Sequence, residues 1–133
     1  MSINNNIVKF KSSGSLIKEL SEFNKNPDYP NFNGSVNISL NGDPFLNNMP
    51  AVYFFHDLRG IHYIGETENL KNRFIQHIKK NKNENLKNIF LSAFGPMFFS
   101  WVVTSSKMEA LIKQKKWIRV FKPKCNEIKY KQN

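Results

Sequence analysis

The sequence predicts an α+β domain. It reads as a small antiparallel three-stranded sheet flanked by helices, in the order β-β-α-α-β-α, preceded by an N-terminal extension. Three observations carry this. Ala51–His56 (AVYFFH) and Ile61–Gly65 (IHYIG) are strand-like runs joined by Asp57-Leu58-Arg59-Gly60, the pattern of a hairpin. Two stretches of helical apolar spacing follow. Met97–Thr104 (MFFSWVVT) is then short, aromatic and β-branched, which marks a buried strand ahead of a last helix.

The elements follow in order. Within residues 1–49, Ser15 to Asn24 sets Leu16, Ile17, Leu20 and Phe23 at helical spacing and predicts a short amphipathic helix. Pro27, Pro30, Asn33 and Gly34 break that pattern. Ser35 to Leu40 alternates as a half-buried strand ended by Asn41-Gly42. This extension either covers an edge of the domain at 50–133 or forms an arm for a partner. In the hairpin, a three-residue loop with Gly60 in a left-handed bulge position pairs Tyr53 with Tyr63 and puts both phenols on one face. A four-residue loop would pair 53 with 64 and split them. Thr67 is placed to cap a helix running to about Lys80. Glu84–Phe94 is a second helical stretch, stopped by Gly95-Pro96. Ser106 and Glu109 form a capping box for a helix to about Phe121, ended by Lys122-Pro123.

Composition narrows the function. The chain has 133 residues, a net charge of +10 and one cysteine. That excludes a disulfide scaffold and a paired-CxxC zinc site, and it suits a reducing cytosol. No apolar run approaches the ~20 residues of a membrane span, and the start lacks a signal peptide's apolar stretch. Residues 1–50 carry four lysines and four acids, so the whole excess of charge lies in residues 51–133. Such a basic domain points to a polyanion, nucleic acid above all. Seventeen of the 20 basic residues are lysine, in a Lys-, Asn-, Ile- and Phe-rich composition that an A/T-rich genome would encode. A solvated lysine surface is therefore the bland alternative.

The helix after the hairpin concentrates chemistry. Leu70, Phe74 and Ile78 form an apolar row, and Asn69, Arg73 and His77 form a second row about 100° away. One row packs; the next presents a guanidinium and an imidazole together. Tyrosine in a strand usually packs, but a phenol beside a phosphate also serves as a base or a water positioner. In the last helix the apolar arc runs from Trp117 through Phe121, Ile118 and Leu111 to Ile112, and Gln114 falls inside it. A polar side chain so placed is either hydrogen-bonded in the core or lines a cleft. His56 and His62 flank the turn and read as structural, as does Cys125.

Together these residues resemble the GIY-YIG nuclease superfamily. Ala51-Val52-Tyr53 stands for its first motif and Tyr63-Ile64-Gly65 for its second. Asn69-Leu70-Lys71-Asn72-Arg73-Phe74 is similar to its N-L-x-x-R-F segment, and several members have a histidine where His77 stands. Glu109-Ala110-Leu111, Trp117-Ile118 and Pro123-Lys124-Cys125-Asn126 resemble the closing helix and its P-x-x-N ending. The resemblance covers about residues 50–128. It implies hydrolysis of phosphodiesters in double-stranded DNA with one divalent cation, Mg²⁺ or Mn²⁺. Tyr53 and Tyr63 would line the site, Arg73 would hold the phosphate, His77 would bond to the same region, and Asn126 would tie down the rim. Lys71, Lys113, Lys115, Lys116 and Arg119 would contact the DNA backbone.

Two departures qualify the resemblance. The family's metal-ligating Glu lies nine residues before that proline, where this chain has Gln114. An amide lacks the charge that a hard cation favours. Glu109 cannot replace it, being five residues away and ~140° around the helix. An introduced inactivating substitution, a naturally silent binding module and an enzyme with another metal arrangement all remain open. The second departure is Glu66, where repair-type members place Lys or other residues. The resulting expectation is a homing- or phage-type DNA endonuclease of the bacterial or phage-infected cytoplasm. Its metal binding would be weakened or abolished by Gln114.

Overall fold

Four strands build one antiparallel sheet: β1 (Gly34–Asn37), β2 (Ala51–Asp57), β3 (Gly60–Thr67) and β4 (Phe98–Val103), in the spatial order β1-β4-β2-β3. Three helices accompany it: α1 (Leu70–Lys79), α2 (Glu84–Leu91) and α3 (Lys107–Phe121). These elements belong to a computed structural model that describes residues 27–38, 46–92 and 95–126. The α+β class and the order from residue 51 are as the sequence predicts. The sheet has four strands where three were expected, because the alternating run before residue 40 pairs with β4, Val36 opposite Phe99. The helix expected at Ser15–Asn24, and the Leu40 end of the first strand, lie outside the described residues.

Strand alternation divides the aromatic residues between two cores. Tyr53, Phe55 and Phe99 point to one side, where Leu70 and Phe74 of α1 and Leu86 of α2 cover them. Val52, Phe54, Ile64 and Val102 point to the other, against Ala110, Trp117, Ile118 and Phe121 of α3. The buried stripe of α3 is narrower than its apolar residues suggest. Ile112 lies on the opposite side of the helix from Phe121 and is 62% exposed. The stripe is instead centred close to Gln114, which is buried.

The hairpin register differs from the expected one. Tyr53 pairs with Gly65, and Tyr63 pairs with Phe55. Asp57 and Gly60 close a two-residue turn at Leu58-Arg59, in which the Asp57 carboxylate accepts from Arg59 N at 2.8 Å. Gly60 takes φ +124°, a backbone region that L side chains rarely occupy. That turn alone would put the two tyrosines on opposite faces. A bulge restores them. His56 pairs with Ile61 and Phe55 with Tyr63, so His62 is the extra residue, and its ring turns to Asp57 with Nε2 at 2.7 Å from Oδ1. The expected shared face is thus reached by a different route.

The helix boundaries have local causes. Asn69, rather than Thr67, caps α1, its Oδ1 accepting from Asn72 N at 3.2 Å. Thr67 supports that cap by accepting from Asn69 N. Ser106 caps α3 as expected, while the Glu109 carboxylate accepts from Ser105 N at 2.7 Å, one residue outside the usual box. Lys122 ends the helix in the left-handed region, with φ 49° and its N–H on the Ile118 carbonyl.

Candidate active site

The site begins where β2 and β3 run side by side against α1. Tyr53 leaves β2 opposite Gly65, and its ring crosses the edge strand over that glycine. A Cβ at residue 65 would fall inside the Tyr53 ring and against its hydroxyl. The glycine of the second motif is therefore a requirement of the tyrosine of the first. Aromatic neighbours leave the ring no retreat: Phe99, Phe55 and Tyr63 have centroids 5.5, 6.1 and 6.1 Å away. We expect Gly65→Ala to destabilise the domain by about 1–3 kcal/mol, the range for overfilling a packed core. Urea unfolding measures this, and an unchanged midpoint would show that the ring can move.

The buried Tyr53 hydroxyl lies 2.8 Å from His77 Nε2. Tyr63 also stands within hydrogen-bonding reach of Tyr53, and Asn81 lines the same cleft as His77. With Nε2 accepting from the Tyr53 hydroxyl, the neutral ring carries its proton on Nδ1. Burial, and then the Arg73 guanidinium, lower the His77 pKa to about 4, so the ring is neutral at pH 7. Burial holds the Tyr53 phenol well above its ordinary 10, with Tyr63 adding to the rise and Arg73 opposing it. The result is a chain of neutral groups, Tyr63, Tyr53 and His77. It can pass a proton along but is unlike a standing phenolate.

Arg73 divides two clefts. One, of about 420 Å³, is lined by Tyr63, His77, Lys80, Asn81, Lys82 and Asn83 as well as Arg73 and Gln76. The other, of about 290 Å³, brings Glu66, Glu68, Asn69, Asn72 and Lys107 to the same arginine and glutamine. The guanidinium is exposed on α1 and open to both. A phosphate lying at Arg73 would thus meet lysines on either side.

Gln114 and Asn126 act on the outer edge of β3. Asn126 accepts from Ile64 N and donates to Ile64 O, both at 2.9 Å, and so replaces the missing neighbour strand. Gln114 Nε2 donates to the same carbonyl at 3.4 Å. The middle residue of Tyr63-Ile64-Gly65 is thereby held between the two tyrosine positions. Both amides are buried, as the helical geometry of α3 predicts for Gln114.

The structure brings Tyr53, Tyr63, Arg73 and His77 together and sets Gln114 and Asn126 on the adjoining strand edge. It does not gather the remaining basic candidates there. Lys71, Lys113, Lys115, Lys116 and Arg119 line neither cleft, and Lys113 instead lies 4.0 Å from Glu109. The cations at the clefts are Lys80, Lys82 and Lys107, none of them among the five expected to contact DNA. The run of Asn and Lys after α1 is the sequence signal for Lys80 and Lys82. His56 and His62 are structural, bonded to Ser100 and Asp57.

Comparison with known proteins agrees with this geometry. The profile of the UvrC-like GIY-YIG domain matches residues 49–127. UvrABC system protein C of Lachnospira eligens is 36% identical over 78 residues, and that of Clostridium beijerinckii is 37% identical over 82. These stretches cover 58% and 61% of this chain but 13% of each relative, so the match spans about an eighth of their length. Among solved structures, the GIY-YIG N-terminal endonuclease domain of UvrC from Thermotoga maritima, bound to magnesium as its catalytic divalent cation, superposes with a TM-score of 0.53 at 26% identity. The likeness covers 62% of this chain and 88% of that one. A point mutant of the same domain, bound to its catalytic divalent cation, gives the same TM-score and identity. The ordered motifs, the sheet that aligns them and the matched residues lead to one assignment: the chain belongs to the family of UvrC-like GIY-YIG nuclease domains.

Proposed function

We propose that this domain hydrolyses phosphodiester bonds in double-stranded DNA, with a divalent cation such as Mg²⁺ or Mn²⁺ at the site. The observation that carries the reading is the buried Tyr53 hydroxyl on a neutral His77, beside an exposed Arg73 that opens to two clefts. Arg73 binds the phosphate through two parallel N–H donors and strengthens that contact as charge develops on the equatorial oxygens. Tyr63, which lines the larger cleft, orients the attacking water. The proton lost by the water enters at Tyr63 or Tyr53 and is taken up at His77 Nε2. Lys80, Lys82 and Lys107 position the DNA backbone without reading its sequence.

The residues offer a cation one neutral and one acidic donor. Gln114 spends its amide N–H on Ile64 and retains a carbonyl oxygen for a ligand. Glu66 has a buried Oε2 with no hydrogen-bond partner, which is an opening for a cation. When bound, the metal polarises the phosphate and stabilises the leaving oxygen. A nuclease-silent DNA-binding module is the second reading, favoured by the neutral amide at 114. For the biological setting, Glu66 and the A/T-rich composition support a cytoplasmic homing- or phage-type enzyme, and the matched relatives support repair. No helix among the described residues is long and apolar enough to cross a membrane.

Supercoiled plasmid and Mn²⁺, incubated with the parent chain and with Gln114→Glu, test the proposal. Nicking by either protein supports the nuclease. Retarded migration without nicking by either establishes the binding module. Comparing damaged with undamaged plasmid separates repair from the homing- or phage-type setting.

A further inference from the structure

Glu66 occupies β3 two residues beyond Ile64, so its side chain leaves the same side of the sheet, the side of α3. It also lines the smaller cleft with Arg73, and so stands at the rim between Gln114's helix and the phosphate position. Its Oε2 is buried and has no hydrogen-bond partner among the described residues. A buried carboxylate oxygen in that state carries a desolvation cost that some contact normally offsets. The neighbouring acid does not share the difficulty: Glu68 lies 3.7 Å from Lys107 and is mostly exposed.

We propose that Glu66 is the carboxylate that holds the divalent cation in this chain, taking over the charge that position 114 lacks. The inference rests on the nuclease reading above and names the ligand that reading needs. Among the described residues no three His, Cys, Asp or Glu side chains converge as a metal cage. One carboxylate with waters and phosphate oxygens is, however, the usual donor set for Mg²⁺. The other explanation of the orphan oxygen is an ion pair with Arg73. The two residues share a cleft, yet no contact within 4 Å forms between them.

The test is Mn²⁺ binding in the absence of DNA, followed by electron paramagnetic resonance of the free ion. The parent chain is expected to bind one Mn²⁺, and Glu66→Gln to weaken it at least tenfold. Glu66→Asp, which keeps the charge on a shorter stem, should fall between. Gln114→Glu should bind at least as tightly as the parent. Far-ultraviolet circular dichroism of each variant reports the fold, and the Asp variant keeps the comparison valid should Glu66→Gln be misfolded. An unchanged affinity in Glu66→Gln, or no binding by the parent, overturns the assignment. If the parent nicks plasmid and Glu66→Gln nicks it equally well, Glu66 is excluded while the nuclease stands. If Mn²⁺ binds through Glu66 but neither the parent nor Gln114→Glu nicks DNA, the nuclease reading falls and the metal site stands.

Discussion

Replacing Arg73 by alanine is expected to reduce DNA cleavage by about 10²–10³-fold, equivalent to roughly 2.7–4 kcal/mol of transition-state stabilisation. The rate should be measured under single-turnover conditions, in the parent or in Gln114→Glu, whichever cleaves. The size follows from position and chemistry. The guanidinium is the one cation that lines both clefts, and it presents planar paired donors that match phosphate oxygens. Arg73→Lys keeps the charge and loses the fork, so it should recover only part of the rate. Neither variant should weaken the fold by more than about 0.5 kcal/mol, because the side chain is exposed and Ala and Lys are both good helix formers. That contrast separates function from folding. A rate within threefold of the starting protein would remove Arg73 from the phosphate site.

How much of this was legible in the sequence depends on the range of the interactions involved. The two rows on α1 are local, and helical periodicity alone placed Arg73 and His77 beside each other. Gln114 was flagged in the same way, since a polar residue inside an apolar arc is visible without knowing what it meets. Its partner, the Ile64 carbonyl, is 50 residues away and was not visible. The shared face of Tyr53 and Tyr63 was expected for a reason that proved incomplete. A two-residue turn and a bulge each shift alternation by one, and their sum restores the parity. The bulge depends on Asp57 receiving both Arg59 and His62, a cluster that spacing does not announce. The first strand is legible as a strand, and covering an edge of the domain is one of the two roles its sequence allows. Its seat beside β4 depends on Gly34, where a Cβ would collide with the Trp101 ring. Lys80 and Lys82 are hidden differently. In a chain with 17 lysines, only the fold tells which of them face a cleft.

The domain should also be unusually sensitive to mild acid, because two of its histidines fold in the neutral form. His56, on β2, is buried with its ring stacked on Phe32 and Phe98, its Nε2 lies 2.7 Å from Ser100 Oγ, and that hydroxyl donates in turn to Ser35 at 2.9 Å. His56 therefore donates from Nε2 and leaves Nδ1 as a buried atom without a partner. Protonating Nδ1 would bury a charge and an unsatisfied donor together. Burial accordingly lowers its pKa to about 3, although Asp57 opposes the shift. His77 is lowered to about 4 by burial and Arg73. In the unfolded chain both titrate near 6.5. Between pH 6.5 and 4 the unfolded state thus binds up to two more protons than the folded one, and stability falls as pH falls. The limiting slope is roughly 1.4 kcal/mol per pH unit for each histidine, or about 2.7 for the pair. Asp57 adds nothing in this window. Burial raises its carboxyl, but bonds from Arg59 and His62 outweigh burial and hold it below its ordinary 3.8, so its contribution is lost only under stronger acid. The loss between pH 6.5 and 4 is at most about 6–7 kcal/mol, enough to unfold a domain at the low end of the typical range of about 5–15 kcal/mol. Urea titrations at pH 7, 6, 5 and 4.5 measure it directly. His56→Gln should bring the slope down toward about 1.4 kcal/mol per unit, the share left to His77. A parent chain that loses less than about 1 kcal/mol per unit across the window would mean that at least one of these rings takes up its proton in the folded state.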